Sequence, residues 1–444
     1  MTPLTETQKI SIAVGVRQIW PPALAALIMA VIAQAIGQRT LQLGPASIVF
    51  FPMVWGLLLA GFLSLQRIKR VSLDFQKIAN LFVGIAVSIL IARLAFNIGP
   101  NLSLLISAGP ALLLQELGNV FGSLLFALPL AVLLRMGRAT IGATFSLDRE
   151  PSFGMVREKY GSDSDQFRGV LAMYVFGTLF GALYITFLAS FLVTTGWFDA
   201  LALAMGAGIG SGSMMAAGTG VIVDAFPAME SEIMGVAAVA NLLATIGGVY
   251  LGIYISLPLA DRFYHFLTRK SRAAEVAQDT PDTENNLELV AQLEEAARPV
   301  TAPLWITVPI VFLVGLTTAS IVGEGLSWSI VAGYAVLTAL VLLSEALAWL
   351  TRRKIAAIVW VTTIGAYISS PWFAWSGPLG EVVGSVDLLS IATAVLTFAG
   401  LSLGKDADLL KSVGWKIIPV GLVSLTAAFL LSTIIAEFTL GLWG

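Results

Sequence analysis

Cysteine is absent from this 444-residue chain, and histidine occurs only once, as His265. Without thiols the chain can form neither disulfide bonds nor thiolate metal sites. His265 stands near Arg262, Arg269 and Lys270, with no second imidazole to share a zinc ion. The sequence therefore predicts no resident cofactor.

Charged residues are also scarce, at 12% of the chain, whereas soluble domains carry about 25%. Hydrophobic residues make up 57%, and the mean hydropathy is +0.88. Apolar stretches long enough to cross a hydrocarbon core of about 30 Å recur along the whole length. The composition predicts an all-α polytopic membrane protein that meets the lipid bilayer on most of its sides.

Several motifs of other function classes are missing. No GxxxxGK segment is present, which argues against direct use of ATP, and no basic tract indicates nucleic-acid binding. GIGSGS lacks the spacing of a nucleophile elbow. An intramembrane enzyme would need acid–base residues clustered at one depth, and the apolar stretches hold only scattered ones. We therefore expect no enzyme.

Thirteen candidate spans account for most of the chain, and some of them should be discontinuous or re-entrant helices. Lys and Arg clusters follow the second, eighth, tenth and twelfth spans, which places all four clusters and the N-terminus on the cytoplasmic side. The spans lie near residues 22–37, 47–66, 78–97, 101–116, 119–136, 169–195, 199–224, 230–258, 303–321, 327–350, 355–372, 381–403 and 415–442.

One basic stretch, 137–168, conflicts with this count, because thirteen full crossings would put it outside. A re-entrant segment at 101–116 or 199–224 would remove the conflict, and the charge pattern does not decide between them.

Two membrane regions are predicted, residues 1–267 and 303–444, joined by a hydrophilic linker at 268–302. Five spans precede the middle of the chain and five follow the linker. A Gly-Pro pair stands before the fourth span of each set, at 99–100 and 377–378. We infer a weak internal repeat, an arrangement common in secondary transporters.

The run GAGIGSGSMMAAGTG at 206–220 is the main functional signal, since twelve of its fifteen residues are Gly, Ala, Ser or Thr. Glycine is costly inside a helix, and non-helical backbone at membrane depth survives only where protein buries it or water lines it. The run predicts a hairpin whose backbone binds a solute or a Na⁺ ion; close helix packing through small residues is the alternative. Its candidate ligands are Gly208, Gly210, Ser211, Gly212, Ser213, Gly218 and Thr219.

A second segment, RATIGATFSLDRE at 138–150, has a similar small-residue core. It predicts a second hairpin at 137–150, with Thr140, Gly142 and Thr144 near its tip and Arg149 or Arg138 offering a guanidinium to an anion. The alternative is a polar loop with a local ion pair.

Polar residues inside apolar stretches are costly and often functional. Glu116, Asn119 and Asn241 are candidate polar ligands, and Asp387 is a candidate proton carrier; each could instead form a helix-packing hydrogen bond. Arg93 and Glu345 lie near span ends, where long side chains snorkel to the interface.

Three segments carry a family resemblance. GIGSGSMMAAGTGVIVDAFPAMESEIMGVAAVANLLATIGGVYLGIYISLP resembles the Gly/Ser hairpin and following helix of the 2-keto-3-deoxygluconate permease, citrate–sodium and glutamate–sodium symporter relatives. LLSIATAVLTFAGLSLGKDADLLKSVGWKII resembles the helix–basic loop–helix unit of the bile-acid/arsenite/riboflavin transporter type. RATIGATFSLDREPSFGMVREKYGSDSDQFRG resembles an uncharacterised bacterial inner-membrane family, a domain of unknown function.

The resemblance, which covers about a third of the chain, implies inverted repeats, a scaffold domain that dimerises and a transport domain with two hairpins moving as an elevator. By position the hairpin tips would be residues 208–218 and 140–146. The chain departs from those permeases because five spans follow its Gly/Ser hairpin.

These observations predict a secondary transporter of a small organic solute, a carboxylate or amino-acid-like anion, coupled to Na⁺ or H⁺. The location expected from the resemblance is the bacterial inner membrane, and the expected assembly is a homodimer. The alternative function is a channel or passive exporter lined by the Gly-rich segment.

Overall fold

A computed structural model describes residues 12–13, 16–43, 46–66, 68, 70–145, 156, 159–160, 164–269, 300–352, 355–405 and 414–443. Most of the predicted linker and the candidate Arg149 lie outside the described residues.

The described chain is built almost wholly of helices, which confirms the predicted all-α class. Four short strands form two separate two-stranded pairs: β1 (Ile12–Ala13) with β4 (Val300–Thr301), and the hairpin of β2 (Arg39–Leu43) and β3 (Ala46–Phe50). The helices are α1 (Val16–Ile36), α2 (Pro52–Leu65), α3 (Leu73–Ala95), α4 (Leu102–Ser107), α5 (Gly109–Leu133), α6 (Ala139–Thr144), α7 (Asp165–Thr195), α8 (Ala200–Ala207), α9 (Gly212–Ala225), α10 (Glu230–Leu251), α11 (Leu257–Thr268), α12 (Leu304–Val322), α13 (Trp328–Leu350), α14 (Ala357–Ile368), α15 (Ser376–Gly384), α16 (Leu388–Ser402) and α17 (Ile417–Trp443).

Seven helices in the described part of the chain are long and apolar enough to cross a membrane, or eight if the bent pair α15 and α16 forms one span. The bend between these two helices is 58°. Two shorter apolar helices, α2 and α14, accompany them. The protein is therefore a multi-pass membrane protein.

One predicted break is absent. The sequence suggested separate spans at 101–116 and 119–136, but α5 runs unbroken for 25 residues. Pro110 stands in its first turn, where proline is tolerated because no backbone N–H is needed there. The polar residues 115–119 lie inside this helix.

The ends of the bundle can be assigned from antiparallel packing of α5 and α17. Gly118 faces Ser432 and Gly122 faces Ala427, so the two helices run in opposite directions. Lys416 Nζ donates to Arg135 O over 3.2 Å. We call the end that holds Arg135 and Lys416 the basic end, and the other the opposite end.

Helices α8 and α9 form a hairpin that enters from the opposite end. Asp199 N, just before α8, donates to Glu437 Oε2 near the end of α17 over 2.7 Å. Gly206 then reaches Phe429 and Thr433, deeper along α17, and Gly218 of α9 packs back against Ala207. The chain thus turns at residues 208–211 and returns towards the end from which it came.

Helix α6 enters from the basic end. It follows α5 after a short turn, and Thr144 O accepts a hydrogen bond from Ser123 in the middle of α5. Helix α7 begins beside α6, because Gly169 of α7 packs against Ala139. Residues 137 and 164 therefore lie at the same end, and most of the residues between 145 and 164 lie outside the described residues.

The helices form two packed groups. The hairpin group contains α5 to α11 and α17, and the companion group contains α1 to α3 and α12 to α16. In the companion group α2 and α16 lie side by side, with Gly400 packed on Leu57 and Ala60. The groups meet where Gly212 of α9 faces Val87 of α3.

Three π-helical turns occur in the described part of the chain. These turns are Ser123–Ala127 in α5, Gly177–Gly181 in α7 and Gly252–Ser256 between α10 and α11. The first and third are each followed by the same four residues, Leu-Pro-Leu-Ala, at 128–131 and 257–260. Isolated π turns occur frequently at functional sites.

Candidate functional site

The tip of the α8–α9 hairpin is a four-residue turn inside the bundle. Gly208 caps α8, and Gly210 has φ +78°, a left-handed conformation that favours glycine. Ser211 caps the start of α9, where its Oγ accepts from Met214 N over 3.4 Å and lies 3.1 Å from Ser213 Oγ. Ser211, Gly212 and Ser213 are half-buried, while most of α9 behind them is fully buried.

Asn241 of α10 satisfies the carbonyl groups that this turn leaves without helical partners. Its Nδ2 donates to Gly208 O over 2.8 Å and to Gly210 O over 3.2 Å. The side chain is buried, with 3% of its surface exposed. Gly208 also packs directly on Ala237 and Ala240 of α10. The tip is therefore held in one conformation by an amide from a neighbouring helix.

The end of α6 is held in a similar way by hydroxyl groups. Ser123 Oγ donates to Thr144 O over 2.7 Å and lies 2.5 Å from Ser424 Oγ. Ser256 Oγ donates to Phe145 O. Ser123 and Ser256 both belong to π turns, so these turns place the donors at the end of the half-helix.

Both tips contact α17 at neighbouring depths. The α6 tip reaches Ser424 through Ser123, and α8 reaches Phe429 through Gly206. Five residues of α-helix rise about 7.5 Å. The two half-helices thus enter from opposite ends and stop at nearby levels inside the protein.

The remaining tip candidates are packing positions in this structure. Gly142 packs closely on Gln166, and Gly218 packs on Ala207 and Ile185. Thr140 and Thr219 are wholly buried, and their Oγ1 atoms have no hydrogen-bond partner among the described residues. A ligand role for these four residues remains a prediction.

Glu116 and Asn119 form a buried polar cluster with Gln115 on α5. Gln115 Nε2 donates to Glu116 Oε1 over 2.6 Å, and Asn119 Nδ2 donates to Glu116 Oε2 over 3.4 Å. Gln115 O accepts from Ser432 Oγ of α17 over 2.9 Å. This cluster shares a helix with Ser123, one turn or more towards the opposite end.

Asp387 lies in the companion group, apart from both tips. It is the N-cap of α16, and its Oδ2 accepts from Ser390 N over 2.6 Å. This capping bond explains why a carboxylate stands immediately before an apolar helix. The structure brings it near Arg93 and Glu230 rather than near the hairpin tips.

The prediction that Arg93 snorkels was wrong. Only 5% of this residue is exposed, because its guanidinium points between the two groups. Arg93 Nε donates to Val386 O over 2.9 Å, and its terminal nitrogen lies 3.8 Å from Glu230 Oε1 at the start of α10. A neighbouring carbonyl and carboxylate replace the water that a snorkelling side chain would seek.

Comparison with protein families gives one match, which covers residues 31–266 and carries the description "Protein of unknown function (DUF3100)". This is more than half of the chain. The protein belongs to the DUF3100 family. No curated protein and no solved structure matches it, so the resemblance to named permeases remains a prediction.

The DUF3100 match contains α6, the α8–α9 hairpin and the capping residue Asn241, whereas α17 with Ser424 and Thr433 lies beyond it. Sequence reasoning missed the three serines that hold α6: Ser123, Ser256 and Ser424. A usable signal was present for two of them, because Ser123 and Ser256 each lie within five residues of a Leu-Pro-Leu-Ala segment. Ser424 has no comparable signal.

Proposed function

We propose that this DUF3100 protein is a secondary transporter of a small organic solute and that the solute binds between the two hairpin tips. The observation that carries the proposal is a pair of half-helices entering from opposite ends and stopping at nearby depths on α17. Discontinuous helices of this kind form the substrate and ion sites of many transporters near the bilayer midplane.

The tips offer suitable chemistry for a carboxylate or amino-acid-like anion. The first turn of α9 presents backbone N–H groups, and Ser211 and Ser213 add hydroxyls that are only half-buried. A helix N-terminus favours negative charge through its dipole and its free N–H groups. Asn241 keeps this turn in place, so little ordering is needed when a solute binds.

The two groups of helices support an elevator mechanism. Their contact along α9 is made by small or apolar residues, with Gly212 facing Val87 and Gly220 facing Leu389. Surfaces of this kind can slide without leaving many buried hydrogen bonds unpaired. The Arg93–Glu230 contact is a polar link that such movement would have to break.

The basic end is proposed to be cytoplasmic. Arg135, Arg168 and Lys416 lie at this end or on helices that start there, and positive charge is enriched in cytoplasmic loops. A homodimer in a bacterial inner membrane, formed through the companion group, is part of the same proposal.

The decisive experiment has two stages. Purified protein is first screened by thermal shift against carboxylates and amino acids, with and without Na⁺, because a bound solute raises the unfolding temperature by mass action. Radiolabelled hits are then offered to proteoliposomes under a Na⁺ or pH gradient. Accumulation above the outside concentration supports a transporter, whereas equilibration alone would indicate the channel or passive exporter.

A further inference from the structure

Glu116 is a carboxylate inside α5 that has no cationic partner among the described residues. Only 5% of its surface is exposed, and among the described residues its hydrogen-bond donors are two neutral amides, Gln115 and Asn119. A buried carboxylate is ordinarily neutralised by a partner charge, a bound cation or a proton.

The described elements packed against α5 bring no charge to Glu116. Helix α17 places Ser432 nearby, where its Oγ donates to Gln115 O, and its one acidic residue, Glu437, accepts from Asp199 N at the opposite end. Helix α10 carries Glu230 and Glu232 in its first turn, with Glu230 facing Arg93. Helices α4, α6 and α8 have no titratable side chain. In the π turn Gly252–Ser256 the titratable residue is Tyr254, which is exposed. Helix α11 packs against the last turns of α5 and carries Asp261, Arg262, Tyr264 and His265.

The two amides can serve both forms of this carboxyl group. Each now donates from its nitrogen to the ionised form, and each could turn over to present its oxygen to the O–H of the protonated form. Gln115 is wholly buried, and its Oε1 has no hydrogen-bond partner among the described residues, so an acceptor is available next to Glu116. A Lys or Arg partner would stabilise the ionised form alone.

We propose that Glu116 is the proton-binding site that couples transport to a pH gradient. A proton from one face adds to a carboxylate oxygen and forms a neutral carboxyl group, whose O–H donates to an amide oxygen of Gln115 or Asn119. Release of the proton at the other face restores the carboxylate and its two N–H donors. This inference rests on the proposed transport function and names its coupling ion as H⁺.

The same geometry disfavours Na⁺ at this position. Sodium requires several oxygen ligands, whereas N–H groups approach both carboxylate oxygens of Glu116. Thr433 Oγ1 of α17 is a buried hydroxyl without a partner among the described residues, and it faces Gly206 on the α8 side of α17.

Infrared spectroscopy tests the site without reference to transport. Purified protein is compared in acidic and alkaline buffers, and the carbonyl band of a protonated carboxylic acid is recorded in the difference spectrum. We expect a band from a water-excluded carboxyl that is present in the wild type and in Glu437→Gln and absent from Glu116→Gln. An identical spectrum for Glu116→Gln would overturn the proposal.

Proteoliposomes test the coupling. In the Glu116→Gln variant, uptake driven by a pH gradient should be lost, while exchange of labelled for unlabelled solute continues. Uptake that follows a Na⁺ gradient and ignores pH would overturn the proton site while leaving the transporter proposal intact. Conversely, a titrating Glu116 band in a protein that moves no solute would contradict the proposed function alone.

Discussion

Asn241 illustrates how one side chain can define the shape of an entire hairpin. Its amide nitrogen supplies hydrogens to two carbonyls, Gly208 O and Gly210 O, at the point where α8 stops. No water is expected at this depth to replace them, so the amide performs a task that solvent performs at an exposed helix end.

Replacing Asn241 with alanine should therefore destabilise the protein. Each carbonyl left without a donor costs about 1–3 kcal/mol, and the loss should appear as a lower unfolding temperature of the purified protein in detergent. Thr245→Val is the matched control, because Thr245 lies one turn further along α10 and, among the described residues, its hydroxyl donates to Asn241 O of the same helix and not to the hairpin. Equal unfolding temperatures for the two variants would contradict the capping role.

Gly210 and Gly247 should respond to alanine in opposite directions. Gly210 has φ +78°, and an L-residue in left-handed geometry costs about 1–2 kcal/mol. Gly247 lies inside α10, and a Cβ there would meet no atom within 4 Å. Alanine at Gly247 should raise stability by up to about 1 kcal/mol. Thermal unfolding of both variants measures the contrast, and a stabilising Gly210→Ala would refute the strained turn.

At the scale of elements, the important contact is that of α9 with α3. A Cβ on Gly212 would lie 2.7 Å from Val87 Cγ1, so a larger side chain would push the hairpin away from the companion group. We expect Gly212→Val to insert and fold normally but to abolish solute uptake. Gly84→Val is its control, since Gly84 lies in α3, the helix that contains Val87, and a Cβ on Gly84 would meet no atom within 4 Å. Normal uptake by Gly212→Val would argue strongly against the proposed site.

The sequence indicates some of these elements and conceals others for identifiable reasons. Glycine at 206–220 is costly in a helix, so a break there can be predicted. Asn241 and Glu116 stand out because polar residues are rare in apolar stretches. The depth of each tip depends on long-range packing against α17, which no local pattern contains. Asp387 is a candidate proton carrier from the sequence, because it is an acidic residue beside an apolar stretch. Its structural role, the capping bond from Ser390 N, becomes visible only in the fold.

At the scale of the whole molecule, helix α5 and the α8–α9 hairpin together resolve the charge pattern. Because 101–136 contains the single crossing α5 rather than two, Arg138 and Arg168 lie with Lys416 at the basic end. The return of 199–225 to its own end then keeps Arg262 of α11 at the basic end as well. The sequence left open which segment was re-entrant, because span counting cannot tell a crossing from a return.

This topology can be tested with single cysteines, which need no prior removal of native thiols because the chain has none. On intact cells, a membrane-impermeant thiol reagent should label Trp197→Cys, in the exposed turn beside Asp199 at the opposite end. Arg138→Cys, at the basic end, should react only after the membrane is opened. The reverse pattern would invert the proposed orientation, and labelling of both on intact cells would refute the two-ended arrangement.

The three π turns make the direction of the side chains that follow them sensitive to the deletion of a single residue. A π turn holds one residue more than the α-helical turn it replaces, and each α-helical residue rotates the following chain by about 100°. Deleting one residue from Ser123–Ala127 would restore an ordinary helix but change the phase of everything after it. Leu128 and Ala131 would then rotate away from the buried faces they now occupy. The extra residue in the π turn therefore sets the rotation of the second half of α5 relative to the first, so that both halves keep their buried faces towards the protein.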